Sequence, residues 1–100
     1  MQVIKRNGKL EDFNKENIIG ALKKTFGTYD DEILAEINSI ADDLVDKYKA
    51  REIKEIHVED IQDDVELMLM RKGHYSHAKA FITYRNMKTE QRENPWATND

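Results

Sequence analysis

Apolar residues recur along the chain in two rhythms. Up to residue 13 they alternate with polar ones, and from residue 18 onward they return every three or four positions. The first rhythm belongs to strands and the second to helices. Residues 1–5 and 9–13 flank Arg6-Asn7-Gly8, and Asn-Gly is a strong hairpin signal. Two registers compete. A two-residue Asn7-Gly8 loop pairs Lys5 with Leu10 and mixes polar with apolar residues on each face. A three-residue Arg6-Asn7-Gly8 loop, with Gly8 in the left-handed region, pairs Lys5 with Lys9 and Val3 with Glu11. It puts Ile4 and Leu10 on one face and Val3, Lys5, Glu11 and Phe13 on the other. The second register is preferred, because a buried face fixes register through the two-residue period. The Ile4–Leu10 face then packs downward. The other face presents apolar and charged groups together, which suits an amphiphilic ligand.

Asn14 is the expected N-cap of a first helix. Ile18, Leu22 and Phe26 recur at helical spacing with Ala21 beside them, and Gly27 is the stop. A second helix begins at Asp30 or Asp31, whose charge suits a helix start. Its stripe is Ile33, Ile37, Ile40, Ala41, Leu44, Val45 and Tyr48, and it runs to about residue 50. Residues 52–57 read as a connector or a short third strand. A third helix over about 59–72 carries Ile61, Val65, Met68 and Leu69 and stops at Gly73. A fourth runs from about 75 past Arg85 on Ala78, Phe81, Ile82 and Tyr84. Residues 93–100, with Pro95 and no periodicity, read as a linker or a truncated tail. The expected fold is α+β, mainly α: a short β-hairpin or three-stranded cap on a four-helix bundle, over residues 1–92.

Composition narrows the class. The chain of 100 residues has no apolar run near the roughly 20 residues of a membrane span. It has no cysteine, which excludes disulfide frameworks, cysteine zinc sites and thiol catalysis. Its start shows no signal-peptide pattern, so the expected setting is cytoplasmic. The net charge of −4 is unevenly spread. Residues 1–24 carry six basic and three acidic side chains, and residues 67–100 carry the same numbers. Residues 30–66 carry four basic and fourteen acidic. Two basic ends could close around a small polyanion, while the acidic middle reads most simply as a solvated helix face. The whole is too acidic for a nucleic-acid footprint.

The sequence holds no phosphate-binding G-x-x-x-x-G-K-[ST] loop and no G-x-G-x-x-G. His74 and His77 share a helical face but lack acids at ligand spacing, so they read as surface or capping residues. Asp63, Asp64 and Glu66 point in different directions and read as solvent-facing charge. Nothing resembles an activated nucleophile, so no catalytic residue is expected. What remains is Lys5 and Arg6 on a strand, beside the helix start at Asn14, with Val3, Phe13 and Ile18 as apolar surface for a base. Helix amides and cations favour an anion. Ordinary surface cations on a half-exposed hairpin explain the same residues equally well. Lys5 and Arg6 are both expected to be exposed.

The sequence Val3-Ile4-Lys5-Arg6-Asn7-Gly8, then Phe13-Asn14-Lys15-Glu16-Asn17-Ile18, closely resembles the opening of the ATP-cone domain, roughly V-x-K-R-D-G and F-[DN]-x-x-K-I. The stretch from Val58 to Glu66 resembles its third-helix signature, and Ala78 to Arg85 its closing A-x-x-Y-I-x-Y-R. The resemblance implies the same capped bundle and a regulatory role. ATP-cones most often stand at the N-terminus of ribonucleotide reductase catalytic subunits. There they bind ATP as activator and dATP as inhibitor, with Mg2+, and commonly act through oligomeric assembly. They also follow a zinc ribbon in a repressor of reductase genes, which the absence of cysteine disfavours. The resemblance leans toward a reductase, including the anaerobic class.

Carried over by position, the resemblance makes Lys5 and Arg6 a cationic strand pair, Glu11 an acidic neighbour of the nucleotide and Phe13 a hydrophobic contact. Ile18 and Val58 fall around the base, Gln62 at a polar contact, and Gly8 in the glycine of the turn. Asn17 stands where a lysine is common, which removes a charge aimed at phosphate, and Arg85 or Lys88 could compensate. Implied partners are adenine nucleotides, the catalytic domain of the same reductase and a second copy of the cone, with no nucleic acid and no membrane. The rival reading is a helical protein-interaction module that uses its acidic face and binds no nucleotide.

Overall fold

The computed structural model describes residues 1–27 and 30–93, with side chains as far as Asn86. The elements are β1 (Gln2–Ile4), β2 (Leu10–Asp12), α1 (Lys15–Phe26), α2 (Asp31–Ala50), β3 (Glu55–His57), α3 (Val58–Arg71) and α4 (Tyr75–Glu93). The fold is mainly helical with a small sheet, as the sequence pattern predicts. Of the expected linker or tail, all but Glu93 lies outside the described residues. Among the described residues no helix is long and apolar enough to cross a membrane.

The hairpin closes in the three-residue register. Val3 pairs with Glu11 and Ile4 with Leu10. The Lys5 amide donates to the Lys9 carbonyl at 2.8 Å, and the Gly8 amide to the Lys5 carbonyl at 2.9 Å. Asn7 Oδ1 accepts from the Lys9 amide at 3.0 Å, and Gly8 takes φ 84°. The two turn residues thus divide the work: Asn7 satisfies an amide and Gly8 supplies the positive φ.

One expectation about the hairpin is reversed. Leu10 is 50% exposed, while Val3 and Phe13 pack against the core. A single three-stranded layer has one face to give to the helices, and the Val3–Phe13 face takes it. The face expected to meet a ligand is therefore also the face that meets the bundle.

The segment read as connector or strand is a strand. β3 lies parallel to β1, with Gln2 opposite Glu55, Val3 opposite Ile56 and Ile4 opposite His57. The sheet order β2-β1-β3 puts β1 in the centre. No loop separates β3 from α3. His57 closes the strand and caps the helix, its Nδ1 accepting from the Glu59 amide at 3.1 Å.

The other helix starts follow their sequence signals. Asn14 Oδ1 accepts from the Glu16 amide at 2.9 Å, and Asp30 Oδ1 from the Ile33 amide at 2.9 Å. Gly27 ends α1 at φ 76°. α1 packs on α2 and α4, and α3 on the same two helices, so the four form a ring. Leu22, Ile37, Ile40, Leu44, Tyr48 and Leu69 fill its centre, each at most 1% exposed. Ile19 is buried although it lies outside the predicted stripe, while Val45 and Ile82, placed in their stripes, are only half-buried. The Tyr48 hydroxyl donates to Asp64 Oδ2 at 2.8 Å. Burial, reinforced by that bond, pushes its phenol well above the usual range.

A Cβ built at Gly8 would meet nothing within 4 Å, so a substitution there meets only the strain of positive φ. Gly8→Val should lower unfolding free energy by about 1–2 kcal/mol. The helical circular-dichroism signal before the transition should stay unchanged. An unaltered denaturation midpoint would show that the hairpin can close by another turn.

Candidate functional site

A cavity of about 470 Å³ lies between the sheet, α1, α3 and α4, within the size range of small-molecule sites. The sheet contributes Val3, Glu11 and Asp12, with Phe13 just beyond β2. Lys5 and Arg6, expected on a strand, come from the turn after β1. Asn17, Ile18 and Lys24 come from α1, together with Gly20 and Ala21, whose small size keeps that wall low. Val58, Ile61, Gln62 and Val65 come from α3, and Phe81 and Tyr84 from α4. About half of the lining is aliphatic and aromatic; the polar groups are the cations Lys5, Arg6 and Lys24, the acids Glu11, Asp12 and Glu16, and the amides Asn14, Asn17 and Gln62.

The cations are not all held alike. Lys5 is half-exposed and stands 4.0 Å from Glu11, an arrangement worth little in water. Arg6 is largely covered, with its side chain 19% exposed, contrary to the expectation of an exposed arginine. Its guanidinium pairs with Glu59 and donates to Gln62 Oε1 at 3.1 Å. Both acceptors stand on the first turns of α3, which the β1–β3 pairing brings beneath the hairpin. Lys24 lies 5.8 Å from the Tyr84 ring centroid, at cation–π range.

The start of α1 offers an anion less than its position suggests. Asn14 takes the Glu16 amide through its side chain and the Asn17 amide through its carbonyl. Glu16 also lines the cavity and adds negative charge there. Attraction for an anion therefore rests on the side-chain cations.

Nine of the eleven nucleotide-site residues named from the sequence line the cavity: Val3, Lys5, Arg6, Glu11, Phe13, Asn17, Ile18, Val58 and Gln62. Gly8 and Arg85 are not among its lining residues. Gly8 shapes the turn that carries Arg6. Arg85 donates to Glu59 Oε2 at 2.7 Å, Asp63 Oδ1 at 2.8 Å and Glu66 Oε1 at 2.6 Å. Burial works against its charge, but the three carboxylates outweigh it and raise its pKa. The hydrogen bond from Arg85 lowers the pKa of Glu59, with burial opposing and the charge of Arg6 adding to the effect. Lys88, the other cation named for this role, has its side chain outside the described residues.

Asp63, Asp64 and Glu66, expected to be solvent-facing charge, are thus partnered. Asp63 and Glu66 meet Arg85 on α4. Asp64 takes Lys47 Nζ at 3.2 Å and the Tyr48 hydroxyl on α2. Sequence reasoning missed Glu59 behind Arg6, and the cavity roles of Gly20, Lys24, Ile61, Val65, Phe81 and Tyr84. A usable signal existed for α3, since Val58, Ile61, Gln62 and Val65 share one face by three- and four-residue spacing. None existed for Lys24 and Tyr84, which meet only through tertiary packing. Among the described residues, no group of three or more histidine or acidic side chains could hold a metal.

The family model of the ATP cone domain matches residues 1–90. This chain belongs to the ATP-cone family. It is 34% identical over 99 residues to the ribonucleoside-diphosphate reductase subunit alpha of Treponema pallidum (strain Nichols), covering 92% of this chain and 12% of that protein. The subunit of the same name from Chlamydia muridarum (strain MoPn / Nigg) is 35% identical over 104 residues, covering 94% of this chain and 10% of its own length. That from Chlamydia pneumoniae is 35% identical over 100 residues, with 92% and 10% covered. The chain therefore spans about a tenth of the length of these relatives.

Gly20 stands inside α1, and a Cβ there would meet nothing within 4 Å. Glycine in a helix interior costs about 0.8–1.0 kcal/mol relative to alanine. Gly20→Ala should therefore raise unfolding free energy by up to about 1 kcal/mol, read from urea denaturation. A fall in stability would mean that the cavity wall is closed at this point.

Proposed function

We propose that this chain is a regulatory domain that binds ATP or dATP, with Mg2+, in the cavity between the sheet and the helices. The observation that carries this reading is that two side-chain cations, Lys5 and Arg6, line the same cavity as an apolar wall of Val3, Ile18, Ile61 and Phe81. A nucleotide is built the same way, with a flat base that leaves water and a phosphate chain that needs positive charge. Arg6 offers a planar fork and Lys5 a point charge to the phosphates. Val3, Ile18, Ile61 and Phe81 line the space for the base. Asn17 carries no charge, and Lys24, two turns along the same face of α1, supplies a cation that the sequence reading did not assign.

The domain is not an enzyme by itself. With no phosphate-binding loop and no activated nucleophile in the sequence, the nucleotide serves as an effector and leaves unchanged. Membership of the ATP-cone family and the name of the relatives support a place in a cytoplasmic ribonucleotide reductase. That name favours a diphosphate reductase over the triphosphate and anaerobic alternatives. The partners would be the catalytic domain of the same enzyme and further copies of the cone. ATP and dATP would act oppositely by favouring different assemblies. A ligand shifts such an equilibrium only through its differential affinity for the two states.

Calorimetry on the chain tests the binding reading. Lys5→Ala and Arg6→Ala should each weaken ATP binding by roughly 1.5–3 kcal/mol, the range for hydrogen bonds to charged groups. Gly20→Leu should reduce binding by filling the cavity while leaving the helices intact. Unchanged affinity in all three variants would move the nucleotide elsewhere on the fold.

A further inference from the structure

We infer that Glu59 is a built-in competitor for the ligand's phosphates, and that Arg85 sets how strongly it competes. The inference rests on the nucleotide reading above and assigns a role to two residues outside the cavity lining. Glu59 pairs with Arg6 through Oε1 and accepts from Arg85 through Oε2 at 2.7 Å. One carboxylate is thus divided between the arginine that lines the cavity and an arginine on α4. Its side chain is 35% exposed, so its attraction for each arginine is only partly screened by water.

The geometry decides the direction. A phosphate that approaches Arg6 meets a guanidinium already neutralised by Glu59. It must share or displace that carboxylate, and the negative charge of Glu59 opposes the ligand directly. Arg85 draws the same carboxylate toward α4. Arg85 is itself held by Asp63 and Glu66, so its position does not depend on Glu59 alone. Gln62 holds Arg6 from a second side at 3.1 Å, so the guanidinium keeps one of its anchors when Glu59 is neutralised. The phosphate site is in this way linked to the last helix through one residue.

A double-mutant cycle on ATP affinity tests this, with Glu59→Gln, Arg85→Gln and the pair, read by calorimetry. Glu59→Gln should tighten ATP binding roughly three- to tenfold, and Arg85→Gln should weaken it by a similar factor, the scale of coupling between contacting residues. In the Glu59→Gln background, Arg85→Gln should have little further effect. A merely structural role predicts weakening in both single variants and equal Arg85 effects in both backgrounds; either result overturns the inference. If Arg85→Gln loses helical signal, Arg85→Lys replaces it, keeping the charge without the fork, with the same sign expected at smaller size. Failure of the parent chain to bind ATP would remove the nucleotide reading, and this inference with it. Binding by the parent with no coupling removes this inference alone.

Discussion

The parallel pairing of β1 with β3 decides where the other parts can sit. It joins the first residues of the chain to a segment more than fifty positions later, through contacts such as the Gln2 amide donating to the Lys54 carbonyl at 2.8 Å. β3 passes without a loop into α3, so the same pairing brings the first turn of α3 beneath the hairpin. Arg6, one residue beyond Lys5 at the hairpin tip, then meets Glu59 and Gln62. β1 is held on both sides, and the antiparallel partner β2 leads directly into Phe13 and the cap of α1. Two short strand pairings therefore bring three cavity walls together.

Charge organises the faces of α3. Ile61, Val65 and Leu69 are buried. On one flank Glu59, Asp63 and Glu66 meet Arg85 on α4; on the other Asp64 meets Lys47 and Tyr48 on α2. The concentration of acid in the middle of the chain is in this part a means of docking one helix to its two neighbours. Arg85 and Glu66 are the most covered of these groups, while Asp63 stays mostly exposed, so the pairs fix the helix orientation more than they add to stability. The contact between Lys15 Nζ and Asp42 Oδ1, at 2.8 Å, spans α1 and α2 but is exposed on both sides, so it adds little.

Much of this was legible because its signals are local. Asn7-Gly8 names the turn, and the two-residue period selects the register. Asn14, Asp30 and Gly27 mark helix ends by side-chain or backbone chemistry that acts within a few residues. What could not be read depends on contacts distant in sequence. The orientation of the hairpin is not legible, because alternation separates two faces without saying which one the bundle covers. The turn before β3 was ambiguous because it uses Glu52 at φ 53°, where a glycine would have announced it. The spacing of Glu59, Asp63 and Glu66 does put them on one flank of a helix, but the cation that gathers them is on another element. Motif residues at element ends line the cavity. Its deeper residues, Ile61, Val65 and Phe81, look like any core stripe until the space beside them is seen.

A nucleotide in the space between the sheet and the helices is tested most directly by amide chemical shifts during an ATP titration. Shifts should concentrate at Val3, Lys5, Arg6, Ile18 and Gln62 and saturate together. The opposite end of the bundle, around Met70 and His74, should stay still. A saturating response centred at that opposite end, or no response at the sheet, would contradict it.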